Sequence, residues 1–230
     1  MNQRTTARMV GILFLTAMVG SLVGGVAFIE PFLTAPDVLI AVSENETRVI
    51  IGVLLELVNG IAVLGIGVLM FPILRRHNEY TALGYLGLRI VESVFCCAIV
   101  LGPLSLITLS QVYVQSGALD AAYYRAAGAL SIAEREGVAG LLIPVFFGLG
   151  SLLFYRALYR FRLLPRFISV WGFVGAALIL ALNVLLTFGV QVGSIGMALA
   201  LPIISNEILL GIWLVAKGFD PSAIATGAAG

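Results

Sequence analysis

The sequence has little charge, with only 11% of its residues Asp, Glu, Lys or Arg. A water-soluble domain needs roughly a quarter of its residues charged, so a soluble surface is excluded. It has one histidine, His77, beside Arg75 and Arg76 in a polar turn, and with no second His it reads as a solvated loop residue rather than a metal ligand or a base. It has two cysteines, Cys96 and Cys97, adjacent in an apolar run. Neighbours on a helix neither form a disulfide framework nor converge on a metal, and they read as small packing residues. Charge of one sign is lacking too: the formal net charge is +1, which excludes a strongly basic nucleic-acid binder and an acidic tail.

What is present is apolar sequence in long runs. Apolar residues make up 60% of the 230. At roughly 20 residues per crossing plus short connections, that length allows about six spans. Hydropathy marks them at 9–29, 49–74, 82–109, 138–159, 167–190 and 197–216. The fold class expected is all-α, a polytopic transmembrane helical bundle forming one integral membrane domain over residues 1–230. Arg4 and Arg8 ahead of the first run, with Gly25 and Ala27 near its end, resemble a cleaved signal. Its apolar stretch exceeds the usual ~7 to 15 residues, so it reads as an uncleaved first span.

Basic residues near span ends resist translocation. With both termini in the cytoplasm, Arg4, Arg8, Arg75, Arg76, Arg156, Arg160, Arg162, Arg166 and Lys217 lie inside, and only Arg48, Arg125 and Arg135 lie outside. Acids follow the reverse trend: Glu30, Asp37, Glu44, Glu46, Asp120, Glu134 and Glu136 face out, whereas Glu79 and Asp220 face in. The connection from Ser110 to Glu136 contains DAAYYRAAGALSIAERE and reads as a polar-faced helix on or above the outer surface. The short QVGSIG connection makes the fifth and sixth spans antiparallel neighbours. Asn59 and Asn183, and Glu92 and Glu207, take corresponding places in the two three-span halves. No wider similarity makes those halves an inverted repeat.

Four charges stand where hydrocarbon is expected: Glu56 in the second span, Arg89 and Glu92 in the third, Glu207 in the sixth. All lie about 10 to 17 Å from a membrane face, too deep for glutamate to reach the surface. Lipid-facing, each would be unfavourable by roughly 2.5 to 3.5 kcal/mol, so they turn inward. Arg89 and Glu92 are three apart and share a helix face, as do Glu56 and Asn59, while Asn206 precedes Glu207. Three carboxylates against one guanidinium leave acids that must hold protons or meet a cationic ligand group. The candidate ligand- or proton-binding residues are therefore Glu56, Asn59, Arg89, Glu92, Asn206 and Glu207. Buried ion pairs that only lock helices together explain the same residues. Pro202, five residues before Glu207, frees the carbonyl of Ala198 and is expected to bend the sixth span.

Three stretches, LRIVES from Leu88, FFGLGSLLFYRALYRFRLLPRFISVWGFVGA from Phe146 and LPIISNEILLGIWLVAKGF from Leu201, carry a resemblance. They resemble the bacterial multi-pass membrane family known as domain of unknown function 4386. Arg89 and Glu92 match its Arg with a Glu three residues on, and Glu207 matches its Glu between Leu-Pro and the Trp-Leu-x-x-Lys-Gly-Phe ending. Glu56 matches no motif of the family. The resemblance implies a bacterial cytoplasmic (inner) membrane protein and brings no reaction.

Three functions compete. A carrier or receptor for a small cationic or proton-coupled solute follows from excess acids at mid-depth among kinked helices. A non-catalytic accessory or scaffold protein follows from the same charges acting as internal glue. An intramembrane enzyme on a lipid-like substrate would need an acid and a base. The sequence offers no nucleophile elbow, no HExxH and no paired intramembrane aspartates, so no catalytic residue, metal or cofactor is assigned. The partners expected are the lipid bilayer and a small-molecule or cation ligand; nucleic acid is not among them, and no oligomeric state is read.

Overall fold

A computed structural model describes residues 2–117, 120–193 and 195–226, with the side chains of 224–226 left aside. The part of the QVGSIG connection at Ser194, and Ala118 and Leu119 in the longer one, lie outside the described residues. The described chain is all-helical, without strands, and has six helices long and apolar enough to cross a bilayer. They are Gln3–Leu33, Glu46–Arg75, Glu79–Gln115, Ala121–Phe161, Arg166–Thr187 and Ile195–Ala216. The chain is a multi-pass membrane protein.

Each span packs on the one before it and the one after it, and the sixth packs on the first, so the six close into a ring in chain order. At the closing seam the first and sixth spans touch backbone to backbone: a Cβ on Gly11 would lie 2.6 Å from the carbonyl oxygen of Gly211. Only glycine permits that approach. The even number of crossings puts both termini on one face, where Gly218 lies against Ala7.

Local chemistry sets the element ends. Asn78 caps the third span, its side chain accepting from the Thr81 N–H at 2.7 Å. The fourth span stops because Arg162 turns left-handed, with φ at 54°. The N–H groups of Leu163 and Arg162 then reach back to the carbonyls of Leu158 and Tyr159, and Pro165 prevents the helix from resuming. Two stretches are π-helical, Gly20–Ile29 and Val138–Leu142, and each runs into a proline, Pro31 and Pro144. A π register absorbs the missing proline N–H within a continuous helix.

The helices are longer than the apolar runs that hydropathy marks. The segment read as a helix on or above the outer surface is helical over Ala121–Gly137, and it continues into the fourth span and packs antiparallel against Leu101–Gln115 of the third. At 41 residues the fourth span is ~60 Å long, about twice the hydrocarbon thickness. The two helices therefore run on together past the bilayer. With the short helix Val38–Glu44 they form a cap on the face away from the termini, packed around Leu39, Val42, Leu106 and Tyr113. The ring's other half, towards the termini, is filled by Val10, Phe14, Met70, Tyr85, Phe154, Leu158 and Leu210.

Candidate functional site

Between that core and the cap the ring is not filled. A cavity of about 220 Å³ is lined from five spans by Phe14, Asn59, Arg89, Glu92, Phe147 and Glu207, among others. Glu207 stands nine residues before the end of its span, or ~14 Å in, so the cavity lies near mid-membrane.

Tyr85, Arg89 and Glu92 follow each other at helical spacing and share one buried face of the third span. Arg89 Nη1 donates to both Glu92 oxygens at 3.1 Å, and Arg89 Nε donates to the Tyr85 hydroxyl at 3.0 Å. Its guanidinium carbon lies 5.7 Å from the ring centre of Phe14, 5.3 Å from that of Tyr85 and 6.0 Å from that of Phe147. Three ring faces thus replace part of the cation's lost hydration. Its Nη2 is buried without an acceptor. Within the protein such an orphan is unfavourable by about 1–3 kcal/mol.

Glu207 differs. It lines the same cavity, is half-buried, and has neither a hydrogen bond nor an ion pair among the described residues. Asn59 also reaches the cavity. Asn206 does not: consecutive helical residues point about 100° apart, and its amide donates to the Ile168 carbonyl at 2.9 Å, tying the sixth span to the fifth.

Glu56 sits in a separate site nearer the cap, with a partner the sequence reading placed in an outer loop. Arg135 is buried, 6% exposed. It reaches Glu56 with two hydrogen bonds, Nη1 to Oε2 at 2.9 Å and Nη2 to Oε1 at 2.6 Å. Nη1 also donates to the Ile99 carbonyl at 3.1 Å. That carbonyl is available because Pro103, four residues on, has no N–H, and the third span breaks between Ala98 and Leu101. Two glycines make room. A Cβ on Gly25 would lie 2.9 Å from Glu56 Oε1, and one on Gly102 would lie 2.8 Å from the Ser131 carbonyl oxygen and 3.1 Å from Arg135 Cβ. One arginine thereby joins the second, third and fourth spans.

The charge inventory changes accordingly. Three carboxylates, Glu56, Glu92 and Glu207, face two guanidiniums, Arg89 and Arg135, so one acid is left over, and geometry identifies it as Glu207. The signal that could have found Arg135 was present: Gly128, Ser131 and Arg135 recur at spacings of three and four and form one buried stripe. Among the described residues no three His, Cys, Asp or Glu side chains converge as metal ligands would.

The pattern of the family described as "Domain of unknown function (DUF4386)" matches residues 9–218, nearly the whole chain. The chain belongs to this family. Comparison with curated proteins and with solved structures finds no match. The family match spans all six helices and therefore both the cavity and the Arg135–Glu56 lock, while naming no activity for either.

Proposed function

We propose that the protein is a carrier or receptor of the bacterial cytoplasmic membrane, binding a small cationic or proton-coupled solute in the mid-membrane cavity. The observation that carries this reading is Glu207, the one buried-cluster acid outside both ion pairs, on a wall that also holds Phe14 and Phe147. A carboxylate beside ring faces suits an ammonium group with an apolar body. Asn59, on the same wall, supplies a polar contact for the rest of such a ligand. An intramembrane ionisable residue facing a cavity is expected to serve a pathway or a site.

The orientation proposed puts both termini in the cytoplasm. With Arg135 buried in an ion pair and so removed from the count, nine basic residues lie inside against two outside, Arg48 and Arg125.

Phenethylammonium, one charge on one ring, is a suitable probe. Saturable binding to the purified protein at neutral pH, weakened at least tenfold by Glu207→Gln with thermal stability unchanged, is the expected result. Absence of saturable binding in the parent protein, or an unchanged affinity in the variant, defeats the reading. A second reading, a non-catalytic scaffold, is favoured by the Arg135–Glu56 pair, which ties the second and fourth spans together irrespective of any ligand. On that reading Glu92→Gln lowers stability in detergent and no probe is bound.

A further inference from the structure

Four arginines, Arg156, Arg160, Arg162 and Arg166, fall within eleven residues where the fourth span turns into the fifth, and no acid interrupts them. All four are exposed, and none has an ion-pair partner among the described residues. Next to them a groove of about 250 Å³ opens between the two spans, lined by Arg156, Tyr159, Val170, Phe173 and Val174. Its walls face outward from the ring: Tyr159 is 44% exposed, Val170 50%, Phe173 41% and Val174 49%. On the fifth span the groove runs from Ser169 to Val174, ~8 Å along the helix, and Arg166 stands one turn outside it towards the helix start. Arg166 lies over the Tyr159 ring, its guanidinium carbon 5.3 Å from the ring centre, which holds the cation at the groove's mouth.

We propose that this groove is a binding site for an anionic phospholipid. The phosphate is held by Arg156 and Arg166, and one acyl chain lies along Tyr159, Val170, Phe173 and Val174. The occupant follows from the surroundings. A groove on the outer wall of a membrane span is filled by lipid, and the uncompensated cations at its mouth select the lipid's charge. Basic clefts between spans at a membrane face recognise anionic headgroups in this way, through charge-assisted hydrogen bonds that a zwitterionic headgroup offsets with its own cation. The site shares no lining residue with the cavity at Glu207, and the proposal does not rest on what that cavity binds.

The test uses the full chain, delipidated in detergent and offered phosphatidylglycerol, phosphatidylcholine or inorganic phosphate, with retained lipid counted by native mass spectrometry. Phosphatidylglycerol is expected to be retained at least tenfold over phosphatidylcholine. The double variant Arg156→Gln, Arg166→Gln should lose that preference, whereas Arg4→Gln, Arg8→Gln should keep it. Val174→Trp, which fills the groove, should lower retention of both lipids. Equal retention of the two lipids by the parent protein overturns the proposal, as does a preference unchanged in the Arg156, Arg166 variant. Inorganic phosphate displacing the lipid while Val174→Trp has no effect would reveal an anion site without an acyl groove, and also overturns it.

Discussion

Arg135→Gln perturbs a single side chain and strikes three helices at once. The substitution leaves the Glu56 carboxylate, 5% exposed, without its cation. Removing one partner of a buried ion pair is unfavourable by roughly 3–5 kcal/mol, because the other charge is left uncompensated. The Ile99 carbonyl loses its donor as well, which adds about 1–3 kcal/mol if no water replaces it. Pairing the variant with Glu56→Gln separates these contributions. The double variant removes both charges, so it should be less destabilised than the sum of the singles by about 2–3 kcal/mol. What persists reports the Ile99 carbonyl and the lost packing. Chemical denaturation of the detergent-solubilised protein measures each corner of the cycle. A coupling energy within about 0.5 kcal/mol of zero, the value expected of independent sites, would refute the assignment of Arg135 to Glu56.

Two further outcomes follow from the same geometry. Gly102→Val places carbon where the Ser131 carbonyl oxygen stands 2.8 Å away, so the third and fourth spans must separate. The expected loss is at least as large as the 1–3 kcal/mol typical of overpacking, read as a lowered denaturation midpoint. His77, in the turn between the second and third spans, stacks on Phe161 at 4.6 Å between ring centres. Burial, and then the charge of Arg76, hold its pKa below the ordinary value of 6.5. The unfolded chain therefore takes up the proton first: the stabilisation is complete above pH ~6.5 and is lost as pH falls through the lower folded value. Thermal melts from pH 7.5 to 5 should show the parent protein losing stability relative to His77→Phe; parallel curves would contradict it.

The six crossings were legible because long apolar runs have a single physical explanation, and the ring's fifth–sixth contact followed from a connection of six residues. The inward turn of Arg89, Glu92 and Glu207 was legible for the same reason. Arg135 was not, because AERE reads as surface when charge is counted residue by residue, and the apolar core of its span begins only at Val138. Its burial depends on Pro103, thirty-two positions earlier, and on Gly25, more than a hundred earlier, relations that no local window contains. Asn206 was grouped with Glu207 by adjacency, although a helix turns neighbours away from each other. The ends of the third and fourth spans were set too short because hydropathy marks only the portion inside lipid, and the helices continue in water against each other.

The ring closes in chain order, and that fixes when the cavity comes into being. As the protein is made, each new helix has its predecessor waiting to receive it, up to the fifth. The last helix alone must find two neighbours, one of them emplaced at the very beginning of synthesis, and it is the last that delivers Glu207. Until it arrives there is a gap in the wall. A chain cut short before its sixth helix therefore lacks Glu207 and Ile204 and leaves the cavity without one of its walls.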